Sequence, residues 1–260
     1  MKYDAFRRRA ILAVPLFGLL AGAAIASGGT NPDAEEILKS MSTFLAGTKT
    51  FSVSADISNE VISQEGQKLQ FNGHAALLIE RPSHFRVTRK GRFSDAVLFY
   101  DGSQVTIHGK AINAYVQQKV VGTIDDAIHA IERQIGLDLP GADLLLSNPY
   151  KALTSGATSS GYYGIAYVDG IESHHLAFRT PTVDWQIWVK AGDEPLPMKY
   201  VITTKWLTGA PQYSEQFSEW NLKPDTDADQ FTFVAPQGAE NLEVLPTDMT
   251  GEIATMQENK

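Results

Sequence analysis

A chain of 260 residues, 43% hydrophobic and 20% charged, is long enough for one substantial core and is composed like an ordinary globular protein, which excludes a disordered chain or a membrane bundle. The formal charge is −8, and the rest of the chain is more acidic still, because Lys2, Arg7, Arg8 and Arg9 face only Asp4 in the first 26 residues. Such a body lacks the basic footprint that nucleic acid or an anionic membrane surface requires, and the complete absence of cysteine removes disulfides, thiolate chemistry and a lipid-bearing cysteine together.

Residues 1–26 read as a secretory signal: Arg7-Arg8-Arg9 supplies the positive end, residues 10–25 are almost wholly apolar, and Ala24-Ile25-Ala26 offers a small-x-small cleavage site. Pro15, Gly18 and Gly22 interrupt the apolar run, which is shorter than the roughly 20 residues of a spanning helix and so argues against an uncleaved anchor. Arg8-Arg9-Ala10-Ile11-Leu12 also fits a twin-arginine leader. The expectation is an exported, periplasmic protein with no stable membrane anchor after cleavage. Residues 27–31 are a linker, residues 32–246 a single domain, and residues 247–260 a flexible tail.

Asn31-Pro32-Asp33 starts a helix, with Asn31 as cap and Asp33, Glu35 and Glu36 near the positive end of its dipole. Ile37, Leu38, Met41, Phe44 and Leu45 form one apolar stripe, ended near Gly47; the helix either packs on a sheet or serves as a movable lid. From Phe51 the period becomes two, predicting strands at 51–58, 69–79, 85–89, 96–100, 105–107 and 112–117, with a tight hairpin at Asp101-Gly102. The middle turns helical. Thr123 and Asp126 make a capping-box variant before a stripe of Ile124, Ala127, Ile128, Ile131 and Ile135, and further short helices open at Pro140 and Asn148. Strands resume at 162–168, 173–180, 184–190, 198–206 and 213–222, with a short last one at 231–233, and all four tryptophans fall in this second half. Strands, a helical insert and strands again predict an α+β fold: a strongly curved antiparallel sheet, an incomplete β-barrel, with helices packed on or plugging its concave face.

Chemistry-bearing patterns are sparse. Adjacent His174 and His175 on a strand point to opposite faces and are poorly placed to share a metal. Asp225, Asp227 and Asp229 alternate but lack the glycine and terminal glutamate of a calcium loop, so they read as a solvated turn. Arg89 and Arg179, on apolar strands, either face an anionic headgroup or reach the sheet edge and pair with an acid. No nucleophile motif, acid–base pair or metal cluster can be assembled, so neither an enzyme nor a cofactor is expected. What remains is the aromatic-apolar sheet face, and a curved sheet under few helices leaves a cavity of the kind ligands use.

Four short motifs carry a resemblance: Phe85-Arg86-Val87 after Arg81-Pro82, Phe99-Tyr100-Asp101-Gly102, Trp188-Val189 leading to Glu194-Pro195-Leu196-Pro197, and the Phe231-Thr232-Phe233-Val234-Ala235-Pro236 ending with Gly238. With the order of elements, they resemble the outer-membrane lipoprotein-carrier (LolA/LolB-like) superfamily, and within it a family of predicted periplasmic proteins known as a domain of unknown function. The resemblance implies a half-barrel whose concave face takes up a lipid, an acyl chain or another apolar ligand, as a carrier or chaperone in envelope biogenesis. The alternative is a sensing or protein-interaction module of the same fold, binding another envelope protein. Alternation assigns Ile57, Phe71, Leu77, Phe85, Val87, Phe99, Trp185, Ile187, Tyr200 and Ile202 to the inner, ligand-facing side. A one-residue slip would turn any strand's set outward.

Overall fold

The computed structural model describes residues 30–92 and 94–246; the proposed signal, most of the linker and the tail lie outside the described residues. Helix α1, Pro32–Gly47, begins where the Asn31 side chain accepts hydrogen bonds from the Asp33 and Ala34 amides, and the Asn31 amide donates to Ser160 Oγ at 2.6 Å. Its stripe of Leu38, Met41 and Leu45 is fully buried, so the helix packs on the sheet.

Six strands follow in meander order: β1 Thr50–Ile62, β2 Lys68–Glu80, β3 His84–Gly91, β4 Asp95–Tyr100, β5 Gln104–Gly109 and β6 Ala114–Lys119. The helical insert comprises α2 Ile124–Ala130, a wider π turn at Ile131–Ile135, a 3-10 turn at Ala142–Leu145 and α3 Pro149–Leu153. Thr123 and Asp126 close the expected capping box at the start of α2. The stripe predicted to run unbroken to Ile135 instead opens into the π turn, which ends at Gly136 with φ of 77°. The second meander is β7 Ser159–Val168, β8 Ile171–Arg179, β9 Val183–Lys190, β10 Pro197–Thr204 and β11 Gln212–Asn221, and Glu240–Asn241 adds a minimal β12. Between β7 and β8, Asp169 and Gly170 both take positive φ, 50° and 75°, the hairpin geometry whose twist matches the strands it joins.

All twelve strands lie in one sheet in the order β12-β6-β5-β4-β3-β2-β1-β11-β10-β9-β8-β7. Every pairing is antiparallel except the short parallel β12–β6 contact. The two meanders meet where β1 pairs with β11, and the terminal strands β7 and β12 do not meet, so the barrel stays open. This is the α+β half-barrel expected from the sequence.

The end of the chain departs from expectation. Residues 231–233 form no strand; Asp227 and Gln230 close a capping box around a 3-10 turn, Ala228–Gln230, and the chain then crosses the outer face of the sheet. Phe231 is 1% exposed against the His84 ring, and Phe233 touches Phe99, His108 and Tyr115 at centroid distances of 5.6, 5.4 and 5.0 Å. The alternation of phenylalanines that suggested a strand instead anchors a strap. The acidic run ahead of it serves the turn, with Asp227 accepting from the Asp229 amide.

Candidate functional site: an apolar cavity under the helical insert

The inner face of the sheet has a filled half and a hollow half, and side-chain size decides which is which. Over β8–β10 the row Leu176–Ile187–Tyr200 is buried, with α1 packed on β7–β9, and Phe178 stacks on Trp185 with ring centroids 4.1 Å apart. Across β1–β4 small inward residues, Val53, Ala55, Gly73, Ala75, Val87 and Ala96, are set among larger ones such as Phe51 and Phe85. Helices packed against large side chains on one side stand away from small ones on the other. The space between is a cavity of about 500 Å³, roofed by residues 128–145 and walled by β1–β4, β10 and β11, within the range of small-molecule sites, about 300–1,000 Å³. Its lining is mostly aliphatic and aromatic. Near the loop after β10, Leu207 lines the cavity while 41% exposed, beside Trp206 at 69%, which marks an apolar mouth.

Of the ten residues assigned to the inner face, Ile57, Leu77, Phe85, Val87 and Ile202 line the cavity. Trp185, Ile187 and Tyr200 face inward but belong to the filled half. Phe71, paired with the lining residue Asn59, does not itself reach the cavity. Phe99 is a correction: it sits on the outer face, between Phe233 and the Arg86 guanidinium, while Ala96, Leu98 and Tyr100 face inward. Residues 96–100 are apolar on both faces because the C-terminal strap covers the outer one, so alternation carried no signal there.

Two further lining groups lie outside the set assigned by alternation, Trp220 because of a bulge and Glu215 because of its polarity. The β1–β11 register shifts between Ser52 and Ser54, and Glu219 takes a positive φ of 54° in the bulge. The extra residue sends Glu219 outward, where it accepts from Ser54 Oγ at 2.7 Å, and turns Trp220 inward onto Phe51 and Phe217. Trp220 Nε1 is buried with no acceptor. Nearby, Arg81 donates to the Leu145 carbonyl at 2.7 Å, lies 6.0 Å from the Phe51 ring centre, and is held below the ordinary arginine range by burial.

The other missed group is Glu215. It lies on the row Tyr200–Glu215–Ile57–Gly73, and burial pushes its carboxyl up to about 7 despite the opposing effects of the Tyr213 hydroxyl, which donates to Oε1 at 2.6 Å, and of the Arg89 charge. The roof presses on it directly. Gly141 has φ of +84°, and a Cβ there would stand 2.5 Å from Glu215 Oε2, so only glycine closes this contact. Arg89 also lines the cavity, and its guanidinium carbon lies 3.4 Å from where a Gly73 Cβ would stand, beside the row that holds Glu215. Arg179, the other arginine singled out, is exposed and forms a two-pronged ion pair with Asp184 at 3.0 and 3.1 Å. His174 and His175 lie on opposite faces, against Tyr162 and between Tyr163 and Trp188 respectively. Among the described residues no three His, Asp or Glu side chains stand close enough to hold a metal, and no helix is long and apolar enough to cross a membrane.

The family model described as "Predicted periplasmic protein (DUF2092)" matches residues 34–245, from the first turn of α1 to the end of the strap. The chain belongs to this family. No curated protein matches it. Among solved structures it is similar to an uncharacterized conserved protein from Thermus thermophilus, at 13% identity and a TM-score of 0.49 over 81% of this chain and 98% of that one. It is also similar to the Mycobacterium tuberculosis lipoprotein LppX, at 14% identity and 0.43 over 76% and 100%, and to a LolA superfamily protein from Nitrosomonas europaea, at 10% identity and 0.40 over 77% and 97%.

Proposed function

We propose that this DUF2092 protein is a non-enzymatic periplasmic protein that takes up the acyl chain of a lipid, or an apolar ligand of similar shape, in the cavity beneath the helical insert. The observation that carries this reading is the cavity itself: about 500 Å³, apolar on nearly every wall, and opening at Leu207 beside the exposed Trp206. Such a space binds by removing methylenes from water, each worth about 0.8 kcal/mol. Transport of the ligand across the envelope, or its protection during transfer, is the role this geometry suits.

The signature of such binding is chain length. In titrations with straight-chain alcohols, affinity rises about fourfold for each added methylene and then levels off where the chain outgrows the cavity. Displacement of a fluorescent alkyl probe measures this. No uptake at any length, or affinity independent of length, overturns the reading.

A further inference from the structure

The acyl-chain reading leaves open what the chain is attached to, and two charged side chains of the cavity wall, the buried Glu215 and the half-buried Arg89, bear on that. Glu215 and Arg89 both line it, on opposite sides of Ile57. The carboxyl accepts from Tyr213 on its own strand and lies under Gly141 of the roof. The guanidinium reaches over Gly73. Other acids on the cavity wall are set apart from this pair: Glu60 is tied to Lys68 at 3.0 Å and to the Gln212 amide, and Asp138 is exposed on the roof. An anionic head brought into the interior meets Glu215, and a cationic one meets Arg89. In each case the opposite charge of the pair attracts while the like charge repels, so the two offset and a charged head gives up its hydration without compensation. An uncharged polar head has far less hydration to lose, and a hydroxyl or amide can donate to the carboxylate and accept from the guanidinium.

We infer that the cavity selects apolar chains with a neutral hydrogen-bonding head, an alcohol, a glyceride hydroxyl or an amide, against free fatty acids and alkylamines. The inference rests on the acyl-chain reading but adds a head preference that the reading does not require.

The test holds chain length fixed. Dodecanol, dodecanoate and dodecylamine compete for the cavity of the full protein at about pH 8, where the free acid and the amine are both charged. The alcohol should bind roughly a hundredfold tighter than either. Two charge variants supply a pattern that loss of structure cannot imitate. Glu215→Gln leaves Arg89 as the sole charge of the pair and should raise dodecanoate affinity about tenfold or more, while Arg89→Met should do the same for dodecylamine and not for dodecanoate. Equal binding of all three ligands by the wild-type protein, or a preference for either charged one, overturns the inference while leaving acyl-chain uptake in place. Failure of all three to bind overturns both.

Discussion

Wild-type protein loses about 3 kcal/mol of unfolding free energy, relative to a Glu215→Gln variant, as pH rises from 4.5 to about 7. The carboxyl stands at about 7 in the folded chain against an ordinary 4.5, raised chiefly by burial. Below 4.5 the folded and unfolded states both hold the proton, and the contribution is fully present. Through the window the folded state keeps a proton that the unfolded state has released, so folding is disfavoured step by step as protons are withdrawn. Above about 7 the folded protein must carry a buried carboxylate, eased only by Tyr213 and Arg89. The amide that Glu215→Gln introduces has no proton to lose, and other carboxyls, such as Asp143, which burial also raises, are common to both proteins and cancel in the comparison. Urea midpoints for the two proteins across this range supply the measurement. Parallel profiles would mean that Glu215 is solvated and not a buried group of the cavity.

The C-terminal strap gives the second large effect. Phe231→Ala should cost about 3–5 kcal/mol, as expected for removing a fully buried phenylalanine from a packed site. The lost contacts are with the outer face around His84, on the opposite side of the sheet from the cavity. Destabilisation should therefore come without loss of ligand affinity in the fraction that remains folded. Urea denaturation reads the first part and probe displacement the second. A loss below about 1 kcal/mol would show that residues 222–246 are an appendage and not part of the domain.

These two residues also show how far the sequence could be read. Strands whose inner positions are apolar and outer positions polar declared themselves, as β1 did with Phe51, Val53, Ala55 and Ile57 set against serines and an aspartate. Local chemistry placed the Asn31 and Thr123 caps and the Asp101-Gly102 hairpin for the same reason: each acts within a few residues of itself. Where a long-range partner intervened, periodicity misled. Residues 96–100 look alike on both faces because a segment more than a hundred residues away covers the outer one, which put Phe99 on the wrong side. Residues 231–233 alternate like a strand because both phenylalanines anchor the same strap.

The cavity was half legible. Ile57, Leu77, Phe85, Val87 and Ile202 follow from alternation, whereas Trp185, Ile187 and Tyr200, equally inward, are consumed by packing in the filled half of the core. No local pattern separates a residue facing a cavity from one facing a core; the difference lies in the size of the side chains opposite. A usable clue was the run of small inward residues Ala55, Gly73, Ala75 and Ala96 on β1, β2 and β4, which has no counterpart among the aromatics of β8–β10. Trp220 was hidden by a bulge that reverses the parity of β11, and Glu215 by its polarity, since a glutamate on a strand is ordinarily read as outward. Arg89 stands out for its place on an apolar strand, but its position beside Gly73 needs the neighbouring strand to be seen.

On the proposed function, the inner face beneath residues 128–145 holds a guest. Native mass spectrometry of the full protein with dodecanol, beside an Ala75→Phe variant that places a ring in the cavity, tests it most directly. The wild-type protein should carry a single bound alcohol and the filled variant none, with both remaining folded. A wild-type protein that stays bare, or a filled variant that binds the alcohol equally well, would contradict the account.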